Sequence, residues 1–394
     1  MFRPVLPLLA LLLLTVMPRV GIAADAPPKV IGAYYPAGSA ERYPIARVPA
    51  DTLTHLFYAF ATIEDGRCAV DAQADAHFQA LAALKRAHPH LHTLISIGGW
   101  NAGGFSDAAR TAERRQRLVA SCVALFFQQH PGSFDGVDID WEFPVYGGPT
   151  DITDRPEDRR NMTLLVQEFR RQLDVAGAAR AQHLLLTAAL PAGRVQTDGP
   201  YDPARSYEIG ALGRVLDFIN LMSYDMGTGF SPVSTFNAPL REVPADPLAP
   251  AQRRWNNVEA AVQYYRQQGV PADKLVLGVP FYGRGFRVTA DSADGLYQPY
   301  SAPFDAGDWA RIRSRFLDQP GWQRRWHPVA QSPWLYNPAE RIFISYEDPT
   351  SIGLRAGVAK ATGLRGVFTW ELTGDDAQGS LLQAMAAPFA APAK

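Results

Sequence analysis

The sequence predicts an α/β fold: a (β/α)8 TIM barrel with a small α+β insertion after strand seven. Three observations carry that expectation. Eight short apolar runs recur along the chain, most of them separated by stretches with helical spacing. The runs are apolar throughout, as in parallel strands covered on both faces. Eight such units are the number that closes a barrel. The competing fold, a doubly wound open sheet, lacks the Gly-rich phosphate loop that would open its first helix.

Taken in order, the first strand is Val30 to Tyr35 and the second His55 to Ile63, followed by a helix over Ala74 to Ala87. The third strand, Thr93 to Trp100, precedes a helix over Ala112 to Gln129. The fourth is the stretch Phe134 to Pro144, and the helix after it spans Pro156 to Val175, with Leu164, Leu165, Phe169 and Leu173 on one side. Strands five and six are Leu184 to Leu190 and Phe218 to Tyr224, with a helix over Trp255 to Gln268 next. Lys274 to Tyr282 is strand seven and Val367 to Glu371 is strand eight, preceded by a helix over Ser351 to Ala361. The connection after strand seven is too long for a simple loop. It holds a polar helix around Asp308 to Leu317 and the strand-like run RIFISYED, and reads as an insertion over about 287–345. In a barrel that loop lies on the active face and would wall one side of a cleft. The tail, AAPFAAPAK, is expected to fray.

Composition limits the function. Of 394 residues, 47% are hydrophobic and 20% charged, a folded globular balance. The formal net charge of −1 gives no reason to expect nucleic acid or an anionic membrane as partner. Residues 1–24 read as a signal peptide: Arg3, an apolar run from Leu6 to Val16, then Pro18, Gly21, Ala23 and Ala24. The run is too short to span a bilayer comfortably. A secreted or periplasmic protein without stable membrane association is expected, with an uncleaved anchor as the alternative. Residues 25–394 then form one domain, expected to be a monomer. Cys68 and Cys122 are the only cysteines. Export permits a disulfide between them, but two separate buried thiols fit the sequence equally well.

The chemistry concentrates in the fourth strand, FDGVDIDWEFP. Asp138, Asp140 and Glu142 alternate with Val137, Ile139 and Trp141, so the three acids share one face and the apolar residues the other. At about 3.3 Å per residue, alternate carboxylates stand about 6.6 Å apart along the strand. Asp138 lies deepest and Glu142 at the rim, where it can protonate a substrate oxygen. Asp140 can share a proton with Asp138 or turn towards Glu142; a proton-sharing Asp138–Asp140 pair is the expectation. Asp135 is out of phase and is expected to bond backbone near the start of the strand. From the strand alone, acid–base catalysis competes with a divalent-metal site and with a structural ion-pair network.

Here the sequence resembles glycoside hydrolase family 18, the family of many chitinases. DGVDIDWE carries the four acids of the family's strand-four signature. Ser96, Gly98 and Gly99 in SIGGW, Met222, Tyr224 and Asp225 in LMSYD, Tyr282 and Arg284 in PFYGRGF, and Trp370 in FTWEL resemble its motifs on strands three, six, seven and eight. Glu347 stands where the family often has Asp. The resemblance implies retaining hydrolysis of β-1,4-linked N-acetylglucosamine chains, assisted by the substrate's own acetamido group, with no cofactor and no metal. It makes Glu142 the proton donor, Asp140 the partner of the acetamido N–H, Tyr224 a donor to the acetamido oxygen, and Asp138 the deep acid. Trp370 becomes the floor beneath the sugar before the scissile bond. Asp225, Met222, Arg284 and Tyr282 line the cleavage point, Arg284 having a structural ion pair as its alternative. Trp100 and Tyr34 or Tyr35 are candidate platforms for further sugars, with core packing as the alternative for the tyrosines. The implied partners are chitin or N-acetylglucosamine oligosaccharides. The alternatives are an endo-β-N-acetylglucosaminidase acting on N-glycans or peptidoglycan, and a non-catalytic chitin-binding lectin.

Overall fold

A computed structural model describes residues 28–196 and 199–390; the expected signal peptide lies outside them. Strand β1 (Val30–Pro36) pairs in parallel with β2 (His55–Glu64), on which β3 (Arg67–Ala69) folds back as a hairpin. Then come β4 (His92–Gly98), β5 (Gly136–Asp140) and β6 (Leu185–Pro191). A separate hairpin, β7 (Arg194–Gln196) with β8 (Gly199–Tyr201), precedes β9 (Phe218–Met222) and β10 (Leu275–Pro280). Five antiparallel strands follow: β11 (Arg284–Val288), β12 (Tyr300–Phe304), β13 (Gln323–His327), β14 (Ser332–Asn337) and β15 (Ile342–Ser345). Last, β16 (Gly366–Trp370) enters between β10 and β1. The parallel ring β1-β2-β4-β5-β6-β9-β10-β16 is closed, with eight strands as the sequence predicts.

Helices alternate with these strands: α1 (Ala74–Ala87), α2 (Phe105–Ala109), α3 (Ala112–Val123), α4 (Asp158–Ala178), α5 (Pro203–Ser206), α6 (Ile209–Val215), α7 (Pro250–Arg253) and α8 (Val258–Gln267). Two expected helices have different ends for visible reasons. The helix expected from Trp255 starts at Val258 because the Asn257 side chain accepts the Ala260 N–H and caps it. The helix expected over Ala112 to Gln129 is α-helical to Val123 and widens into a π-helix over Ala124–Gln129. Helix α4 buries Leu165, Phe169 and Leu173 against the barrel.

The insertion is a five-stranded sheet in the order β12-β11-β15-β14-β13, with α9 (Trp309–Arg315) beside it. It begins at Arg284, earlier than the sequence pattern suggests, because the first insertion strand continues directly from the end of β10 through Tyr282. Phe236, Phe286, Trp334, Tyr336 and Phe343 give it a core of its own. The chain returns to the barrel through α10 (Pro349–Ala361), whose start is fixed by an Asp348–Ser351 capping box. It closes with α11 (Ser380–Ala386). At the start of the tail Ala387–Phe389 form a 3-10 turn, and Lys360 Nζ donates to the Pro388 carbonyl; residues 391–394 lie outside the described residues.

Cys68 on β3 and Cys122 on α3 form a disulfide, with Cα atoms 5.1 Å apart. The hairpin is therefore tied to the helix that follows the third barrel strand.

Candidate active site

Residues at the C-terminal ends of the parallel strands converge on one mouth. Alternation along β5 sends Asp138 and Asp140 inward. Val137 and Ile139 pack outward, and Trp141 beyond them stacks on Phe105 at 5.1 Å between ring centroids. Asp138 is fully buried, Asp140 nearly so, and Glu142, just past the end of β5, is half-buried at the cleft wall. The neighbouring β4 must pass close beneath this row. A Cβ on Gly98, at φ +119°, would stand 2.0 Å from the Asp140 carbonyl oxygen, so only glycine fits there.

Strand register decides what Asp138 meets. Ser96 on β4 and Thr187 on β6 lie directly opposite it. Its Oδ2 accepts from Ser96 Oγ and Tyr34 OH, both at 2.8 Å, and its Oδ1 accepts from Thr187 Oγ1 at 2.6 Å and Asn220 Nδ2 at 3.3 Å. Burial pushes the Asp138 carboxyl up, and these four donors push back by favouring the anion. Asp138 is saturated, so the expected proton-sharing pair with Asp140 is not the one formed. Asp140 hydrogen-bonds Glu142 instead. Burial first, then the charges of Glu142 and Asp138, hold the Asp140 carboxyl well above the usual range. Its Oδ1 is buried without a hydrogen-bond partner among the described residues.

The cleft above these acids has a volume of about 860 Å³, within the range of small-ligand sites. Tyr224, Asp225, Tyr282 and Arg284 line the same cleft as Glu142. Burial, then Tyr282 and Asp140, keep the Tyr224 phenol far above its ordinary value, so it remains a donor. Asp225 Oδ1 accepts from Tyr282 OH and from Arg284 Nε, both at 2.8 Å, and is ion-paired with Arg284 Nη2 at 2.6 Å. Both readings of Arg284 thus meet in one place: it lines the cleft and it is ion-paired. Met222 and Trp100 line the walls; Trp370 lies at the end of β16 with its ring stacked on Phe60, centroids 5.6 Å apart.

Tyr34 lines the depth of the cleft. Its ring is 1% exposed and stacked on Phe57 at 4.7 Å, and its hydroxyl donates to Asp138. Tyr35 is core, its hydroxyl donating to the Tyr43 carbonyl. Asp135 Oδ2 accepts the Thr93 N–H at 2.9 Å, and Oδ1 pairs with Lys85 at 2.7 Å. Two aromatics that line the cleft escaped the sequence reading, Phe60 and Phe230. Phe230 is 57% exposed, on the loop after β9. An aromatic five residues beyond Asp225, in a Gly-rich loop at a barrel mouth, is the signal that could have found it.

The model for glycosyl hydrolases family 18 matches residues 30–375. Chitinase A1 of Niallia circulans is 39% identical over 304 residues, which is 75% of this chain and 42% of that relative, so the chain spans less than half of its length. Among solved structures, chitinase ChiA74 from Bacillus thuringiensis superposes with a TM-score of 0.83 at 30% identity, over 92% of this chain and 70% of the other. A glycoside hydrolase family 18 N-acetylglucosaminidase from Paenibacillus barengoltzii gives 0.81 at 31% identity, over 91% of this chain and 99% of the other.

Proposed function

The chain belongs to glycoside hydrolase family 18, and from that premise we propose that it is a chitinase: it hydrolyses β-1,4-linked N-acetylglucosamine chains with retention, using the substrate's acetamido group as nucleophile. The observation that carries this is the one-sided arrangement of acids. Asp140 and Glu142 leave the same end of β5. Among the described residues lining the cleft the other carboxylate is Asp225, and Arg284 and Tyr282 already engage it. A two-carboxylate mechanism needs acids on opposite faces of the sugar. With none available, the second nucleophile comes from the substrate.

In this reading Glu142 protonates the glycosidic oxygen as that bond breaks. The acetamido carbonyl oxygen attacks the anomeric carbon from the other side and closes an oxazolinium ion. Water, deprotonated by the Glu142 carboxylate, then opens the ring and restores the original configuration. The unpartnered Asp140 Oδ1 is an acceptor for the acetamido N–H, and the protonated Tyr224 phenol a donor for its oxygen; together they fix the group for attack. Trp370 supports the sugar's apolar face. The apolar run at Leu6 to Val16 and the Cys68–Cys122 disulfide support a site of action outside the cytoplasm.

The test is hydrolysis of short N-acetylglucosamine oligomers by the wild type and Glu142→Gln. A loss of about 10²–10⁴-fold is expected; a variant keeping most of its activity refutes the assignment. The likeness to an N-acetylglucosaminidase over 99% of that chain favours one second reading, release of single sugars. Monomer as the sole early product from an end-labelled hexamer selects that reading, and dimers or longer products select the chitinase.

A further inference from the structure

Asp225 adopts φ +57°, the left-handed region that non-glycine residues seldom enter. The residue that holds it there is Asn237. Asn237 Oδ1 accepts the Asp225 N–H at 2.9 Å, and its backbone carbonyl accepts the Met226 N–H at 2.9 Å. Its own N–H donates to Ser345 Oγ at 2.8 Å. Ser345 is the residue opposite Arg284 in the β11–β15 pairing, and Arg284 bonds the Asp225 carboxylate. The contacts close a ring, Asp225 to Asn237 to Ser345 to Arg284 and back, which joins the loop after β9 to the insertion sheet.

The ring is anchored from behind. Arg355 Nη2 donates to the carbonyl of Ala238, the next residue, and Arg355 pairs with Glu347 at 2.9 Å, both fully buried. Asn237 is itself 0% exposed and does not line the cleft. Its Nδ2 is buried with no hydrogen-bond partner among the described residues. An unsatisfied buried donor is a destabilising feature, so packing alone gives no reason for this side chain. The acceptor oxygen does: it is aimed at Asp225, the one non-glycine residue at positive φ among the described residues lining the cleft. An Asp would supply the same acceptor but set a second buried carboxyl beside Asp225.

We infer that Asn237 is a positioning residue of the active site: through the Asp225 backbone and Ser345 it sets the Tyr224–Asp225 turn and the strand bearing Arg284, and so aims the part of the cleft wall that these residues form. The kinetic part of this inference rests on the chitinase reading.

The experiment compares Asn237→Ala, Asp225→Asn and the double variant on the N-acetylglucosamine hexamer, with crystal structures of the single variants. Asn237→Ala is expected to lower kcat/KM roughly ten- to hundredfold, the scale of a small misplacement at a reacting centre. The double variant is expected to fall little below Asp225→Asn, since both changes act through one group. In the crystal, Asp225 leaves positive φ and its bonds to Arg284 lengthen. Additive losses, or an Asn237→Ala structure with the Asp225–Arg284 pair unchanged, overturn the inference. A wild type inactive on the hexamer instead refutes the chitinase reading, and the crystal structures still decide the role of Asn237. Should Asn237→Ala not fold, Ser345→Ala, which removes the acceptor of the Asn237 N–H, is read in the same two ways.

Discussion

The Asp140 carboxyl hydrogen-bonds Glu142 and not Asp138. Asp138 receives four donors from four different strands, Tyr34 on β1, Ser96 on β4, Thr187 on β6 and Asn220 on β9. It is thereby a fixed acceptor of hydrogen bonds with nothing left for its neighbour. The raised carboxyl therefore belongs to the outer pair of acids.

That pairing makes stability depend on pH through Asp140. Its carboxyl is raised, so the native state keeps a proton that the unfolded chain releases at pH ~3.9. Stability from this group is present below that value and lost as pH rises through the raised one. Asp140→Asn keeps a donor for Glu142 and removes the titration. Its melting temperature relative to wild type is expected to rise as pH goes from about 4 to 8, while kcat falls. A difference in Tm that is flat with pH contradicts the raised carboxyl.

Tyr34→Phe isolates the hydrogen bond to Asp138. The variant keeps the ring and loses the donor to Asp138. A buried bond to a charged group contributes about 1.5–3 kcal/mol, and urea unfolding should show a loss of that order. The preference for longer over shorter oligomers should not change, because the ring is retained. Unfolding stability equal to the wild type would contradict the hydroxyl's bond to Asp138.

The barrel and the face of the three acids were legible because both follow from local pattern: period-two alternation in DGVDIDWE and eight apolar runs. What was illegible depends on register between strands far apart in sequence. Thr187 flanks Asp138 only because β6 pairs with β5 at that position. Four donors then outcompete Asp140, a result no spacing within β5 can reveal. The same holds for Cys68 and Cys122, 54 residues apart, brought together by a hairpin of three-residue strand β3 that shows no pattern of its own. Phe230 lies in a loop without periodicity, and Asn237 acts through a turn and a cross-strand neighbour.

Phe230 gives a test of cleft length. The variant is Phe230→Ala, which removes a ring that lines the cleft and is 57% exposed. Covering a Phe ring with substrate is worth about 1.5–3 kcal/mol, so KM for the hexamer should rise by about tenfold or more, with the effect fading for the shortest oligomers that cannot reach it. Equal effects on all lengths would place Phe230 at the cleavage point.

The insertion is held on the barrel by a buried pair. Burial pushes Glu347 up to about 7 despite Arg355 beside it. Arg355→Met strands that carboxyl and frees the Ala238 carbonyl and Ser332 hydroxyl. A loss of about 3–5 kcal/mol is expected by denaturant unfolding, smaller in Glu347→Leu/Arg355→Met, where no buried charge is left. A double variant less stable than the single would show that the pair stabilises outright.

The central claim is that the nucleophile belongs to the substrate, and its most direct measure is the initial rate on an N-acetylglucosamine hexamer against the same hexamer stripped of its acetyl groups. The account predicts rapid cleavage of the first and a loss of about 10²-fold or more for the second, since the intramolecular attack is gone. Comparable rates on both would contradict it and require a protein nucleophile that faces Glu142 across the cleft.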